Sequence, residues 1–206
     1  MSIENNPIII NASAIQAAQH CAAAKDIRYY LNGVYVNFKR GDQATVAGTD
    51  GYILFAGLAS LQGQTPSSDP HAWVGHSFII PIEVVKKLDK KTAIYELRAI
   101  GDGQYCLNGV IFKPLDGKYP VISRFIPSHD DMQKPQETSN YNPDLLVRAT
   151  KALRAYYNAK PTTCYDIHQR GDSSGVMHAG ENCAQVVIMP INNKIGSIQS
   201  FNRDYL

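Results

Sequence analysis

Residues 28–38 read RYYLNGVYVNF and residues 104–113 read QYCLNGVIFK. The tetrapeptide Leu-Asn-Gly-Val thus occurs twice, at 31–34 and 107–110, each time inside a run of β-branched and aromatic residues. Such runs favour strands, and a repeated strand segment raises the expectation of a repeated unit. The surroundings agree. Upstream, PIIIN (7–11) reads as a short buried strand, and Asn11 or Ser13 caps a helix over about 12–24, with Ser13 and Gln16 at capping-box spacing. Strand-like runs follow at 28–38, 43–48 and 52–57, separated by the turn signals RGDQ and TDG.

The order restarts after 58–75, a stretch rich in Pro, Gly and Ser that reads as a loop pinned by Trp73, the only tryptophan. SFIIP (77–81) is a strand, IEVVKKLDKK (82–91) a helix, and strand runs follow at 93–100, 104–113 and about 119–126. On this reading the second Leu-Asn-Gly-Val falls in the matching place, and two βαβββ units make one domain over 1–127. A polar linker, SHDDMQKPQETS (128–139), leads to a third unit over 140–192. It comprises a brief strand NYN (140–142), a helix over about 143–159 with Pro143 in its first turn, and strands at 162–169, 174–179 and 184–191. The fold class is α+β, with helices on one face of antiparallel sheets. The third unit has no partner within the chain, so one sheet edge and one helix flank need covering.

Composition narrows the function classes. The chain has 206 residues, 44% apolar and 18% charged, with a formal net charge of +2. No apolar run approaches the roughly 20 residues that cross a bilayer, and the N-terminus lacks a signal-peptide pattern, so a cytoplasmic protein is expected. Cys21, Cys106, Cys164 and Cys183 lie far apart without zinc spacing and read as buried thiols. His168, His178 and Asp166 lack metal-ligand spacing or a nucleophile signature, and no glycine-rich phosphate loop is present. Neither an enzyme, a metal nor a cofactor is expected.

RYYLNGV, ATVAGTDGY, DGKYPVISRFIP and AQVVIMPI follow in the order and at the spacing of the bacterial DNA sliding clamp, the β subunit of DNA polymerase III, which the chain resembles. Residues 7–127 resemble that family's middle domain and 139–191 the second half of its last domain. The resemblance implies a clamp fold and a non-enzymatic role, in which closed rings surround duplex DNA and tether polymerases. It also implies an apolar pocket for a partner's short peptide. Carried over, the pocket consists of Leu31, Thr49, Gly51, Tyr52, Ile53, Leu54, Pro120, Arg124, Phe125, Val187, Ile188, Met189 and Pro190. Such a site needs rigid apolar walls and an adaptable methionine. Where the family carries His-Arg after TDG, this chain has Tyr52-Ile53, and PVISR keeps only Arg124 of a paired arginine. The pocket is therefore expected to be greasier and to prefer a different peptide.

Beyond Pro190 the chain continues as INNKIGSIQSFNRDYL. In this tail (193–206), IQSF (198–201) echoes a clamp-binding peptide, and the segment either occupies a pocket or is disordered. Lys25, Lys86, Lys87, Lys90, Lys91, Arg148, Lys151 and Arg154 sit on or beside the helices. They are a solvated face or, in a clamp, a lining for duplex DNA that ignores sequence and weakens with salt. The family ring holds twelve βαβββ units and this chain brings three, so a homotetrameric ring is expected. The alternative is a non-encircling module that binds clamp-binding peptides, or the host clamp itself, and regulates replication.

Overall fold

The computed structural model describes residues 3–66, 68–135, 139–171, 173–178 and 183–191. The tail beyond 191, including IQSF, lies outside the described residues. The first unit runs β1 (Ile8–Asn11), α1 (Ala12–Ala18), β2 (Gly33–Asn37), β3 (Gln43–Thr49) and β4 (Ile53–Gly63). The second runs β5 (Ser77–Pro81), α2 (Ile82–Val85), β6 (Ile94–Gly101), β7 (Gln104–Leu107) and β8 (Val110–Phe112). A short linker helix, α3 (His129–Gln133), precedes α4 (Pro143–Tyr157), β9 (Asp166–Arg170), β10 (Ser173–His178) and β11 (Ala184–Ile188).

The strands join in one antiparallel, 11-stranded sheet. Each of the first two units gives its opening strand to the other: β1 lies against β6, and β5 against β2. That exchange merges the units into one body. β4 is long enough to serve several neighbours. It runs against β3 along most of its length, its end (61–63) meets β1, and its start (53–57) pairs with β11. Through β11 the third unit continues the sheet of the first.

Local chemistry sets the helix starts. The Asn11 side chain accepts from the Ser13 amide at 2.9 Å and so caps α1. α1 is alanine-rich, which lets it lie close on the sheet: a Cβ on Gly48 would stand 2.1 Å from the Ala18 carbonyl oxygen. The Asn142 side chain caps α4 in the same way through the Asp144 amide at 2.9 Å, and Asn158 ends it in the left-handed conformation at φ 48°. α1 packs against α4, and Leu145, Ala149, Ala152 and Leu153 join Ile15, Ala18, Phe55 and Val186 in the main core. Trp73 does pin its loop, fully buried with its indole N–H on the Asn6 carbonyl at 2.6 Å.

Several expectations need correction. The two Leu-Asn-Gly-Val copies are not equivalent. In the first, Leu31 ends a 3-10 turn and Gly33 opens β2. In the second, Asn108 (φ 49°) and Gly109 (φ 85°) form the tight turn between β7 and β8, a geometry for which Asn-Gly is the preferred pair. Residues 119–126 form no strand but an irregular segment with a 3-10 turn at Ile122–Arg124, and 140–142 form none either. β4 extends through what read as a loop, to Gly63. The expected helices over 12–24 and 82–91 are α-helical only at Ala12–Ala18 and Ile82–Val85. Among the cysteines, Cys21 and Cys106 are buried, whereas Cys164 and Cys183 are exposed.

Candidate functional site

A cavity of about 190 Å³ opens where β4 and β11 meet, walled on its far side by the 119–125 segment. The register decides its floor. Leu54 stands opposite Val187 across the strand pair, and both belong to a small second core with Leu31, Ala47, Ile79 and Tyr119. Alternation along β11 sends Val186 and Ile188 to the other face, into the main core. The rim is apolar yet open: Tyr52 is 67% exposed, Phe125 51% and Met189 44%.

The β3–β4 turn that carries Tyr52 is braced by its own side chains. Thr49 Oγ1 donates to the Ile53 carbonyl at 2.7 Å and accepts from the Gly51 amide at 3.0 Å. One carboxylate oxygen of Asp50 accepts from the Tyr52 and Ile53 amides at 2.9 and 3.1 Å. The other accepts from Arg148 of α4. On the far side, Tyr119 stacks flat on Tyr35, ring centres 4.7 Å apart. Burial pushes the Tyr119 phenol well above its ordinary range, so it stays neutral.

Leu31, Thr49, Gly51, Tyr52, Ile53, Leu54, Pro120, Phe125, Val187 and Met189 line this cavity, while Arg124, Ile188 and Pro190 do not. Ile188 is excluded by strand alternation, Arg124 lies exposed on the 3-10 turn, and Pro190 lies past the strand end. The sequence reading missed Arg28, Tyr30, Tyr119 and Ile122 on the wall. All four fall inside the motifs RYYLNGV and DGKYPVISRFIP, so the signal was present, but only the fold aims those side chains inward. Arg28 supplies a guanidinium at the rim, held by Asp26 at 2.7 Å and by the Asp50 carbonyl at 3.0 Å. Hydrogen bonding to Arg28 draws the Asp26 carboxyl down to about 2.

The basic residues divide into two groups. Lys25, Lys87, Lys90, Lys91 and Lys151 are exposed, and Lys86 is exposed but pairs with Glu83 at 2.9 Å. Lys90 and Lys151 converge near His20 at the end of α1. Burial first, then the charges of Lys90, Lys151 and Arg148, lower the His20 pKa. Arg148 and Arg154, by contrast, are spent inside the chain. Arg148 binds the Asp50 carboxylate and donates to the His20 and Cys21 carbonyls at 2.9 and 3.1 Å, tying α4 to α1 and to the cavity turn. Arg154 donates to the Pro161 carbonyl and closes the loop between α4 and β9.

No protein-family model matches the chain. It is 30% identical over 149 residues to the β sliding clamp of Pseudomonas aeruginosa, a match covering 63% of this chain and 37% of the relative. To the β sliding clamp of Salmonella typhimurium it is 30% identical over 129 residues, covering 57% and 31%. The aligned part thus spans about a third of the length of these relatives. In fold, the β subunit of the DNA polymerase of Streptococcus pyogenes matches 91% of this chain and 66% of its own, with a TM-score of 0.66 and 14% identity. A P. aeruginosa DNA polymerase sliding clamp crystallised with a ligand matches 90% and 66%, with a TM-score of 0.59 and 16% identity. Motifs, strand exchange and these likenesses agree: over the aligned part the chain is similar to the bacterial β sliding clamps, and it has the α+β clamp fold.

Proposed function

We propose that the protein is a sliding-clamp-like processivity factor. Copies of the chain surround duplex DNA without reading its sequence and tether a polymerase, or another protein bearing a clamp-binding peptide, through the cavity between β4 and β11. The observation that carries this reading is the cavity itself. This one chain supplies both sides of an apolar site, with a rigid floor (Leu31, Leu54, Val187) and an adaptable rim (Tyr52, Phe125, Met189). A short peptide with two bulky apolar side chains fits such a groove, and Arg28 gives it one polar anchor. Lys90 and Lys151, gathered near His20, supply positive charge beside α1 and α4 for phosphates.

Fluorescence anisotropy with a panel of labelled five-residue peptides, each bearing two bulky apolar side chains, tests the cavity. Binding that Leu54→Ala and Met189→Ala weaken, against an unaffected Lys91→Ala, supports it; no binding up to millimolar peptide refutes it. Salt-sensitive retention on circular but not linearised DNA supports the encircling role. Peptide binding without that retention favours the second reading, a non-encircling regulator of replication. That reading is supported by the internal engagement of Arg148 and Arg154, which thins the basic surface.

A further inference from the structure

The first two units show how a unit of this fold is finished at its edge. β2 and β6, the first strands after α1 and α2, are each flanked on the outer side by the strand exchanged from the other unit. β9 holds the same place after α4, but among the described residues β10 is its only strand partner. The segment preceding α4 lies elsewhere. Ser139 Oγ donates to the Gly171 carbonyl at 2.8 Å, and the Asn140 carbonyl accepts from the Ile191 amide at 2.7 Å.

The open strand reads Asp166-Ile167-His168-Gln169-Arg170. When an antiparallel strand meets its own copy about a two-fold axis at its central residue, each position faces its mirror in the sequence. Here Asp166 then stands directly opposite Arg170, twice per contact, on one face of the sheet. The charges around the strand make the same demand. Within the chain Asp131 is shared between Lys134 at 2.8 Å and Arg170 at 3.5 Å, a carboxylate between two cations. Asp166 has no cation partner among the described residues. His168 Nε2, on the residue at the axis, is closed off from solvent and has no hydrogen-bond partner among the described residues.

We propose that β9 is a homodimer edge, where a second copy of this chain adds its own β9 antiparallel about a two-fold axis at His168, with Asp166 of each copy facing Arg170 of the other. Such an axis is normal to the sheet, so both copies keep α4 on the same side while their strand directions invert. This deepens the ring reading by naming one contact between chains, and its test does not depend on peptide or DNA.

Native mass by sedimentation or light scattering is measured for the wild type, Asp166→Arg, Arg170→Asp and the double exchange. The wild type is expected at an even multiple of the chain mass. Either single reversal sets like charges face to face at two symmetric positions and weakens self-association about tenfold or more. The double exchange restores it to within about threefold, although it still lacks the Arg170–Asp131 pair. Independently, His168→Cys in a Cys164→Ser, Cys183→Ser background forms an inter-chain disulfide on oxidation, and Ile167→Cys, which faces the core, does not. A wild-type monomer, an even-numbered assembly insensitive to both reversals, or no disulfide from His168→Cys would each overturn the proposal. Peptide affinity and DNA retention, measured on the same preparations, report on the proposed function separately.

Discussion

Replacing Arg148 by methionine separates a structural role from a DNA-facing one. The side chain is 31% exposed and its partner Asp50 18%, so solvent screens the pair only in part. Loss of Arg148 removes one charge-assisted bond to Asp50 and two bonds to the His20 and Cys21 carbonyls. A hydrogen bond to a charged group contributes about 1.5–3 kcal/mol net. Water reaches the two freed carbonyls through the partly open flank, and Asp50 keeps its bonds to the Tyr52 and Ile53 amides. The methionine stem also retains part of the packing. The expected loss is therefore about 2–3 kcal/mol, well under the sum of three independent bonds, or roughly 4–12 °C in Tm for a chain of this length. Urea denaturation followed by far-UV circular dichroism reads it. A cycle with Asp50→Asn should show coupling of about 1–2 kcal/mol. Lys151→Met, one turn further along α4, should change stability by less than about 0.5 kcal/mol and instead lower the salt dependence of DNA retention. The reasoning fails if Arg148→Met unfolds at the wild-type urea concentration, with its effect confined to DNA.

Leu54→Ala empties the cavity floor and should cost about 2–4 kcal/mol in chemical denaturation, as for other buried leucines. Gly48→Ala drives a Cβ to 2.1 Å from the Ala18 carbonyl oxygen, a backbone atom that cannot step aside; α1 must lift, and soluble yield and Tm should fall more than for Leu54→Ala. Trp73→Phe removes the buried indole N–H that donates to the Asn6 carbonyl and should cost about 1–3 kcal/mol, with the lost emission of the only tryptophan marking the variant. His20 gives a pH signature. Its folded-state pKa lies below the ordinary 6.5, chiefly through burial, so the unfolded chain takes up the proton first. The stability that neutral His20 contributes is fully present above about pH 6.5 and is lost as pH falls below it. Lys90→Met with Lys151→Met should shrink that loss and raise the His20 pKa in an NMR titration, and a bound duplex should raise it too.

The order of the units was readable before any coordinates, because it rests on short-range chemistry. Runs of apolar and aromatic residues mark strands, Asn11 or Ser13 caps the first helix, Pro143 marks the start of the last, and turn residues stand between. Ten of the thirteen residues carried over from the clamp motifs line the cavity, because its walls come from a few short stretches of chain. What tertiary structure decided depends on partners distant in sequence. Leu-Asn-Gly-Val can open a strand or turn a hairpin, and only pairing against β5 or β6 selects between them. Val187 faces the cavity and Ile188 the core because register with β4 assigns their sides, and a pattern of four consecutive apolar residues carries no such information. Arg148 looks like any exposed helical cation until the fold brings Asp50 and the end of α1 beneath it. Sequence determined the order of the units; the fold determined where several of their elements begin and end, which way the side chains face and which charges remain free to meet a partner.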